Sequence, residues 1–254
     1  MAKTTKWAII GGGNGGQSLA GHLAIMGFPV TIYDIFQQTI DVISEQGGIH
    51  VEGAVEGFGT LELATTDINK AVDGADIVMV VAPATAHRTI AGTCAPALAD
   101  GQIVILHPGA TCGSLEFKQA LSDNGCTAKL TIAETNTLIY ACRSPQPGHA
   151  RIIGIKNDLV VAALPARDTA TVATLFKEAF TQVVAGVNVM QPSLGNANAV
   201  VHPAPSLLNT SMIESVHQWS YYYDGITPSI GAFVEKLDAE RMALALSLIH
   251  ISER

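Results

Sequence analysis

Ile9-Ile10-Gly11-Gly12-Gly13-Asn14-Gly15-Gly16 decides the fold. The apolar run Lys6–Ile10 leads into it, and apolar residues at helical spacing, Gln17–Met26, follow it. Gly11, Gly13 and Gly16 fit G-x-G-x-x-G in the strand–turn–helix setting that the pattern requires. The first glycine permits a tight turn, the second lets the backbone approach a pyrophosphate, and the third lets helix and strand pack closely. The helix N-terminus offers N–H groups to the anion, with Asn14 and Gly15 inside the same cradle. Asp34 closes the next apolar run, Val30–Asp34, 18 residues past Gly16. A carboxylate there accepts hydrogen bonds from the adenine ribose and repels a 2′-phosphate. No Arg or Lys lies between Thr31 and Ile43 to welcome that phosphate, so NAD (NADH) is favoured over NADP. The plain alternative is a glycine turn that binds nothing, with Asp34 capping the next helix.

Outward from this unit the alternation continues. Val30–Asp34, Asp76–Val81 and Gln102–Leu106 read as buried strands, and Phe36–Gln46 and Thr85–Leu98 as helices. Lys129–Ala133, Ile152–Ile155, Leu159–Ala163 and Gln182–Val187 are expected strands, and Thr169–Phe180 an expected helix. The pattern predicts an α/β fold: a Rossmann-type doubly wound parallel sheet, followed by the start of an α-helical domain. Open sheets of this kind bind ligands beyond the carboxyl ends of their strands. That places Ala82 and Pro83, and His107 after the Gln102–Leu106 run, among the candidate cofactor contacts. As a lone histidine before a proline, His107 reads equally as a loop-capping residue.

Composition bounds the function. The 254 residues are 48% hydrophobic and 14% charged, with a net charge of −8, which excludes disorder as the main state. The acidic balance argues against nucleic acid or an anionic membrane as a partner held by charge. Trp7–Tyr33 carries no charge, but its seven glycines interrupt any membrane-spanning run. Lys6 and the short apolar run after it make no export signal, so a cytoplasmic address is expected. Cys94, Cys112, Cys126 and Cys142 form no CxxC pair and read as reduced thiols; no metal site is expected.

From Ala179 to Ile213 there are 35 residues without a charge, and beyond Pro192 helical spacing replaces the alternation through Arg241. We place a domain boundary near 188, giving an NAD-binding domain over 1–187 and a helical part over 188–245. Asn198 and His202, four apart, share a helical face, with Asn209 seven further on and a kink expected at Pro203. A histidine in so uncharged a stretch is expected in a low-dielectric cleft, where its proton affinity can be tuned. From spacing alone it reads as a tuned acid–base group or as a buried structural histidine bonded to an asparagine.

Asn196–Asn209, NANAVVHPAPSLLN, resembles the signature of the opine dehydrogenase family, which includes octopine dehydrogenase. Ile9–Gly16, His107–Phe117 (HPGATCGSLEF), Glu134–Arg143 (ETNTLIYACR), Tyr221–Gly231 (YYYDGITPSIG) and Leu237–Ala245 resemble its bacterial N-(1-carboxyethyl)-norvaline dehydrogenase branch, in the same order. The resemblance implies an NAD(P)-dependent oxidoreductase acting on CH–NH: reductive condensation of an amino acid with a 2-oxo acid, through an imine, and the reverse. It makes His202 the general acid–base residue, with Asn198, Thr135 and Arg143 as candidate substrate contacts and Tyr221–Tyr223 near them. It also implies a homodimer for the full-length protein. The family's helical domain is longer by roughly a hundred residues, the size of a small domain. A carboxylate that pairs with the histidine and an arginine that grips the keto acid belong to that part. The likeness stops after Ala245, and Leu246–Glu253, LSLIHISE, resembles a translated sequencing adapter, so 246–254 is expected to be a non-native tail on a truncated chain. The alternatives are another two-domain NAD dehydrogenase, acting on a 2-hydroxy acid or sugar phosphate, and a catalytically dead NAD-binding fragment.

Overall fold

Trp7–Ile10 forms β1, four residues buried on both faces. The computed structural model describes residues 4–248, so the expected tail lies outside the described residues from position 249 onward. After β1 come α1 (Asn14–Ile25), β2 (Val30–Tyr33), α2 (Gln37–Gln46), β3 (Gly48–Gly53), β4 (Gly57–Thr60), β5 (Leu63–Thr65), α3 (Ile68–Val72) and β6 (Ile77–Val80). Then follow α4 (His87–Cys94), β7 (Ile103–Leu106), α5 (Gly113–Asp123), β8 (Thr131–Thr135), β9 (Tyr140–Gln146), β10 (His149–Ile155), β11 (Leu159–Leu164), α6 (Thr169–Lys177) and β12 (Val183–Ala185).

Eight strands make one sheet in the order β12-β11-β8-β7-β6-β1-β2-β5. Every neighbouring pair is parallel except β8 with β11. The strand order reverses at β1, which opens a crevice beyond the carboxyl ends of β1 and β6. Side-chain alternation splits β1 between two cores: Trp7 and Ile9 join Leu19, Leu23 and Phe176, while Ala8 and Ile10 join Val78, Val80 and Phe117. Because both faces are covered, these strands are apolar throughout rather than alternating.

A second sheet, β4-β3-β10-β9, was not expected. Ile152–Ile155 belongs to it, not to the main sheet. It covers the other side of α1, which explains why that helix carries no charged residue. At Gly21 on α1, an added Cβ would lie 2.5 Å from Val51 Cγ2, so the close approach of helix and sheet requires glycine. The expected helix Thr85–Leu98 is a single tight turn, Ala84–Ala86, followed by α4. Helix α5 lies within the His107–Phe117 motif and its continuation, where no helix was expected.

The described chain divides between Ser193 and Leu194 into two compact units. The second begins within α7 (Met190–Gly195) and holds α8 (Asn198–Val201), α9 (Pro203–Leu208), α10 (Thr210–Ile213) and α11 (Pro228–Leu248), with α11 packed on α8 and α9. No described helix is long and apolar enough to cross a membrane.

Candidate functional site

The glycine turn is built by close contacts. Gly11 has φ +117°, and a Cβ there would lie 2.3 Å from the Val81 carbonyl oxygen. A Cβ at Gly16 would lie 1.7 Å from the Gly11 carbonyl oxygen. Gly13 caps α1, and a Cβ there would meet nothing within 4 Å. Two glycines are therefore required by the protein's own packing, whereas Gly13 opens onto empty space. That is the cradle a pyrophosphate needs at a helix N-terminus, so these residues fit a dinucleotide. Gly13 lines a groove of about 300 Å³ together with Gly11, Asp34, Phe36, Ala82 and Pro83.

Asp34 lies one residue beyond β2. Its Oδ2 accepts the Gly12 N–H at 2.5 Å and its Oδ1 accepts the Phe36 N–H at 2.9 Å. Each oxygen keeps a lone pair for a ribose hydroxyl. Asn14 is turned elsewhere: its Oδ1 accepts the Ser144 N–H at 2.8 Å. A Cβ at Gly15 would meet Val81 and Leu138 side chains. Gln17, which the motif does not include, is buried between Gly12 and Gly148. Its signal was its place, a polar side chain on the most enclosed helix of the fold, where a buried amide must find partners.

His107 and Thr135 form one buried cluster at the carboxyl end of β7 and β8. His107 Nε2 accepts the Ile139 N–H at 3.1 Å, so Nδ1 carries the proton and donates to Thr135 Oγ1 at 2.8 Å. Thr135 in turn donates to the Thr137 carbonyl at 3.0 Å. Burial, then the Lys156 charge, push the His107 imidazole down to about 3, so it is neutral. With both nitrogens engaged and the ring fully buried, His107 holds the loop after β8, and neither it nor Thr135 presents a free polar atom to a ligand.

Glu134, at zero exposure, was not singled out from the sequence. Its Oε2 accepts the Ser114 N–H at 2.7 Å, at the start of α5, and its Oε1 accepts the Ser193 hydroxyl. Burial pushes this carboxyl up, and the bonds from Ser114 and Ser193 pull it back. The Ser193 hydroxyl oxygen also accepts the Cys112 N–H at 2.9 Å. Arg143 lies on β9, exposed, opposite Arg151 in register, while its neighbour Cys142 is buried toward α1. Its Nη1 donates to the Cys142 carbonyl at 2.8 Å.

His202 occupies the junction between α8 and α9 and caps both, because Pro203 has no N–H to continue the first helix. It is exposed, not buried as the uncharged surroundings led us to expect. Its Nε2 and the Tyr222 hydroxyl are 2.8 Å apart. Its carbonyl accepts the Tyr221 hydroxyl at 2.6 Å, and Ser206 Oγ at 2.8 Å. Asn198 is exposed one turn earlier. Asn209 is buried and donates to the Pro205 and Gly225 carbonyls, each at 2.8 Å, tying the histidine segment to the tyrosine turn.

Comparison with known proteins gives two family models. One, described as NAD/NADP octopine/nopaline dehydrogenase, alpha-helical domain, matches residues 185–253; the other, the NAD-dependent glycerol-3-phosphate dehydrogenase N-terminus, matches residues 6–119. An opine dehydrogenase of Arthrobacter sp. (strain 1C) is 42% identical over 246 residues, covering 96% of this chain and 68% of that protein. Octopine dehydrogenase of Pecten maximus is 26% identical over 176 residues, covering 63% and 43%. A solved octopine dehydrogenase with NADH and L-arginine superposes with TM-score 0.79 at 21% identity, covering 97% of this chain and 65% of that one. The chain thus spans about two thirds or less of the length of these relatives.

Proposed function

Because the chain belongs to the opine dehydrogenase family, we propose that it serves the NADH-dependent reductive condensation of an amino acid with a 2-oxo acid, and the reverse. The 42% identity to an opine dehydrogenase across 96% of the chain carries this reading. The glycine turn supports it with a cradle for the pyrophosphate at Gly11, Gly13 and Gly16, and Asp34 with two carboxylate oxygens for the adenine ribose. Asp34 also disfavours a 2′-phosphate, hence NADH over NADPH. A nicotinamide dinucleotide held by Gly11, Gly13, Gly16 and Asp34 would supply the hydride for imine reduction.

The chain's own residues bind, orient and move protons. The unit that ends at Ser193 holds the dinucleotide, and the helical part from Leu194 carries the acid–base work. His202, in the role of a general acid–base group, passes the protons of the attacking amine to the keto oxygen, which leaves as water as the imine forms. The Tyr222 hydroxyl, 2.8 Å from Nε2, orients the ring and relays the proton to solvent. Two tyrosines and Asn209 fix the segment that carries His202. Asn198 serves as an amide contact for substrate in the helical part.

The test supplies NADH with an amino acid alone, a 2-oxo acid alone, and both. Consumption of NADH only with both, and a secondary-amine dicarboxylate as product, is the expected result. Equal consumption with the 2-oxo acid alone would make the protein a simple keto reductase.

A further inference from the structure

The side chain of Gln17 joins the glycine turn to the β9–β10 hairpin. Its Nε2 donates to the Gly12 carbonyl at 2.7 Å and its Oε1 accepts the Gly148 N–H at 2.8 Å. A carbonyl only accepts and an N–H only donates, so the two partners leave one orientation for the amide. Gln17 is 4% exposed, and no solvent competes for these bonds. A second tie runs beside it: Asn14 Oδ1 accepts Ser144 N–H at 2.8 Å, and the Cys142 thiol lies 3.5 Å from the Asn14 carbonyl.

We infer that Gln17 is a positioning residue of the dinucleotide site, and that the β9–β10 hairpin is an accessory part of that site. The inference rests on the functional reading above only in taking the turn to bind a dinucleotide. Peptide planarity transmits the effect of Gln17 to the turn. In the trans peptide between Gly12 and Gly13, the C=O and N–H point in opposite directions. Holding the Gly12 carbonyl on Gln17 therefore aims the Gly13 N–H away from Gln17. The preceding peptide is held by Asp34, through the Gly12 N–H at 2.5 Å. Both peptides flanking Gly12 are thus fixed by side chains, one from β2's end and one from α1. A glycine-rich backbone has the most freedom to lose on binding, so fixing it beforehand lowers the entropic cost of holding a phosphate. Gly148 is itself buried with φ +75°, which turns its N–H onto Gln17.

The test is NADH titration of the 254-residue chain, with thermal unfolding on the same samples, for wild type, Gln17→Met and Gln17→Glu. Gln17→Met removes both bonds. Gln17→Glu keeps an acceptor for Gly148 and loses the donor to Gly12, so it preserves the hairpin tie while freeing the turn. Both variants are expected to weaken NADH roughly 10-fold or more, the worth of one or two lost hydrogen bonds. Gln17→Glu is also expected to lower the unfolding temperature, because it buries a carboxyl against the Gly12 carbonyl, so the deciding readout is the NADH affinity of the folded protein. A residue that only stabilised the fold would lower the unfolding temperature and leave the affinity of the folded chain unchanged. Folded Gln17→Glu with wild-type NADH affinity would overturn the inference, and it decides the matter alone if Gln17→Met does not fold. Failure of the wild-type chain to bind NADH would instead overturn the functional reading, and this inference with it.

Discussion

Gly13→Ala separates binding from folding at the glycine turn. Gly13 has φ −75° and ψ −168°, a conformation alanine adopts freely, and the new Cβ would meet no atom within 4 Å. The cost to the fold is confined to the N-cap position of α1, where alanine is poorer than glycine by about 1 kcal/mol. For a unit of this size that is roughly 2–4 °C in unfolding temperature. The cost to binding is larger. The methyl occupies the space where a pyrophosphate must approach the N–H groups of α1, and each charge-assisted hydrogen bond lost there is worth about 1.5–3 kcal/mol. NADH affinity should fall roughly 10- to 100-fold. Gly16→Ala gives the contrast: its Cβ would lie 1.7 Å from the Gly11 carbonyl oxygen, so stability and binding should fall together. Fluorescence titration with NADH and thermal unfolding of both variants make the assay. Wild-type NADH affinity in Gly13→Ala would show that the dinucleotide does not lie over this turn.

Asp34→Ala should weaken NADH about 10-fold or more and narrow its advantage over NADPH, because two carboxylate acceptors and their charge are lost; an unchanged NADH-to-NADPH ratio would remove Asp34 from this role. In a full-length homologue carrying this segment, the change equivalent to His202→Ala should lower turnover by ~10²–10⁴-fold while NADH affinity persists, and unchanged turnover would return His202 to a helix-capping role. His107, held neutral by burial at about 3 against 6.5 in the unfolded chain, binds its proton first when unfolded. Its contribution to stability is complete above the unfolded value and drains as pH falls toward 3, by roughly 4–5 kcal/mol in all. Denaturant unfolding of wild type and His107→Asn between about pH 4 and 7 should therefore give a steeper loss of stability on acidification for wild type, and parallel curves would contradict the assignment.

The main sheet was legible because its strands are buried on both faces. Trp7–Ile10, Val30–Tyr33, Ile77–Val80 and Ile103–Leu106 are unbroken apolar runs bounded by turns, and a crossover helix must join parallel strands. The second sheet was not legible for the opposite reason. Gly48–Gly53 and Gly57–Thr60 are short, half polar and glycine-rich, and the strand that β3 pairs with, β10, lies far along the chain. Arg143 and Cys142 show the consequence for the site: without the strand, nothing indicated that they point to opposite faces. The position of Asp34 was readable from spacing, since it is set by the end of β2. Glu134 and Gln17 were not, because their partners, Ser193 and Gly148, are distant in sequence. Pro203, which the sequence contains, ends one helix and starts another rather than kinking one, which places His202 at a cap.

Hydride delivery to an imine made from an amino acid and a 2-oxo acid can be followed by isotope. NADH carrying deuterium at both C4 positions is incubated with the protein, an amino acid and a 2-oxo acid, and the products are resolved by mass spectrometry. The expected product is a secondary-amine dicarboxylate carrying one deuterium at the former keto carbon for each NADH consumed. Deuterium recovered in a 2-hydroxy acid, with no labelled secondary amine, would contradict it.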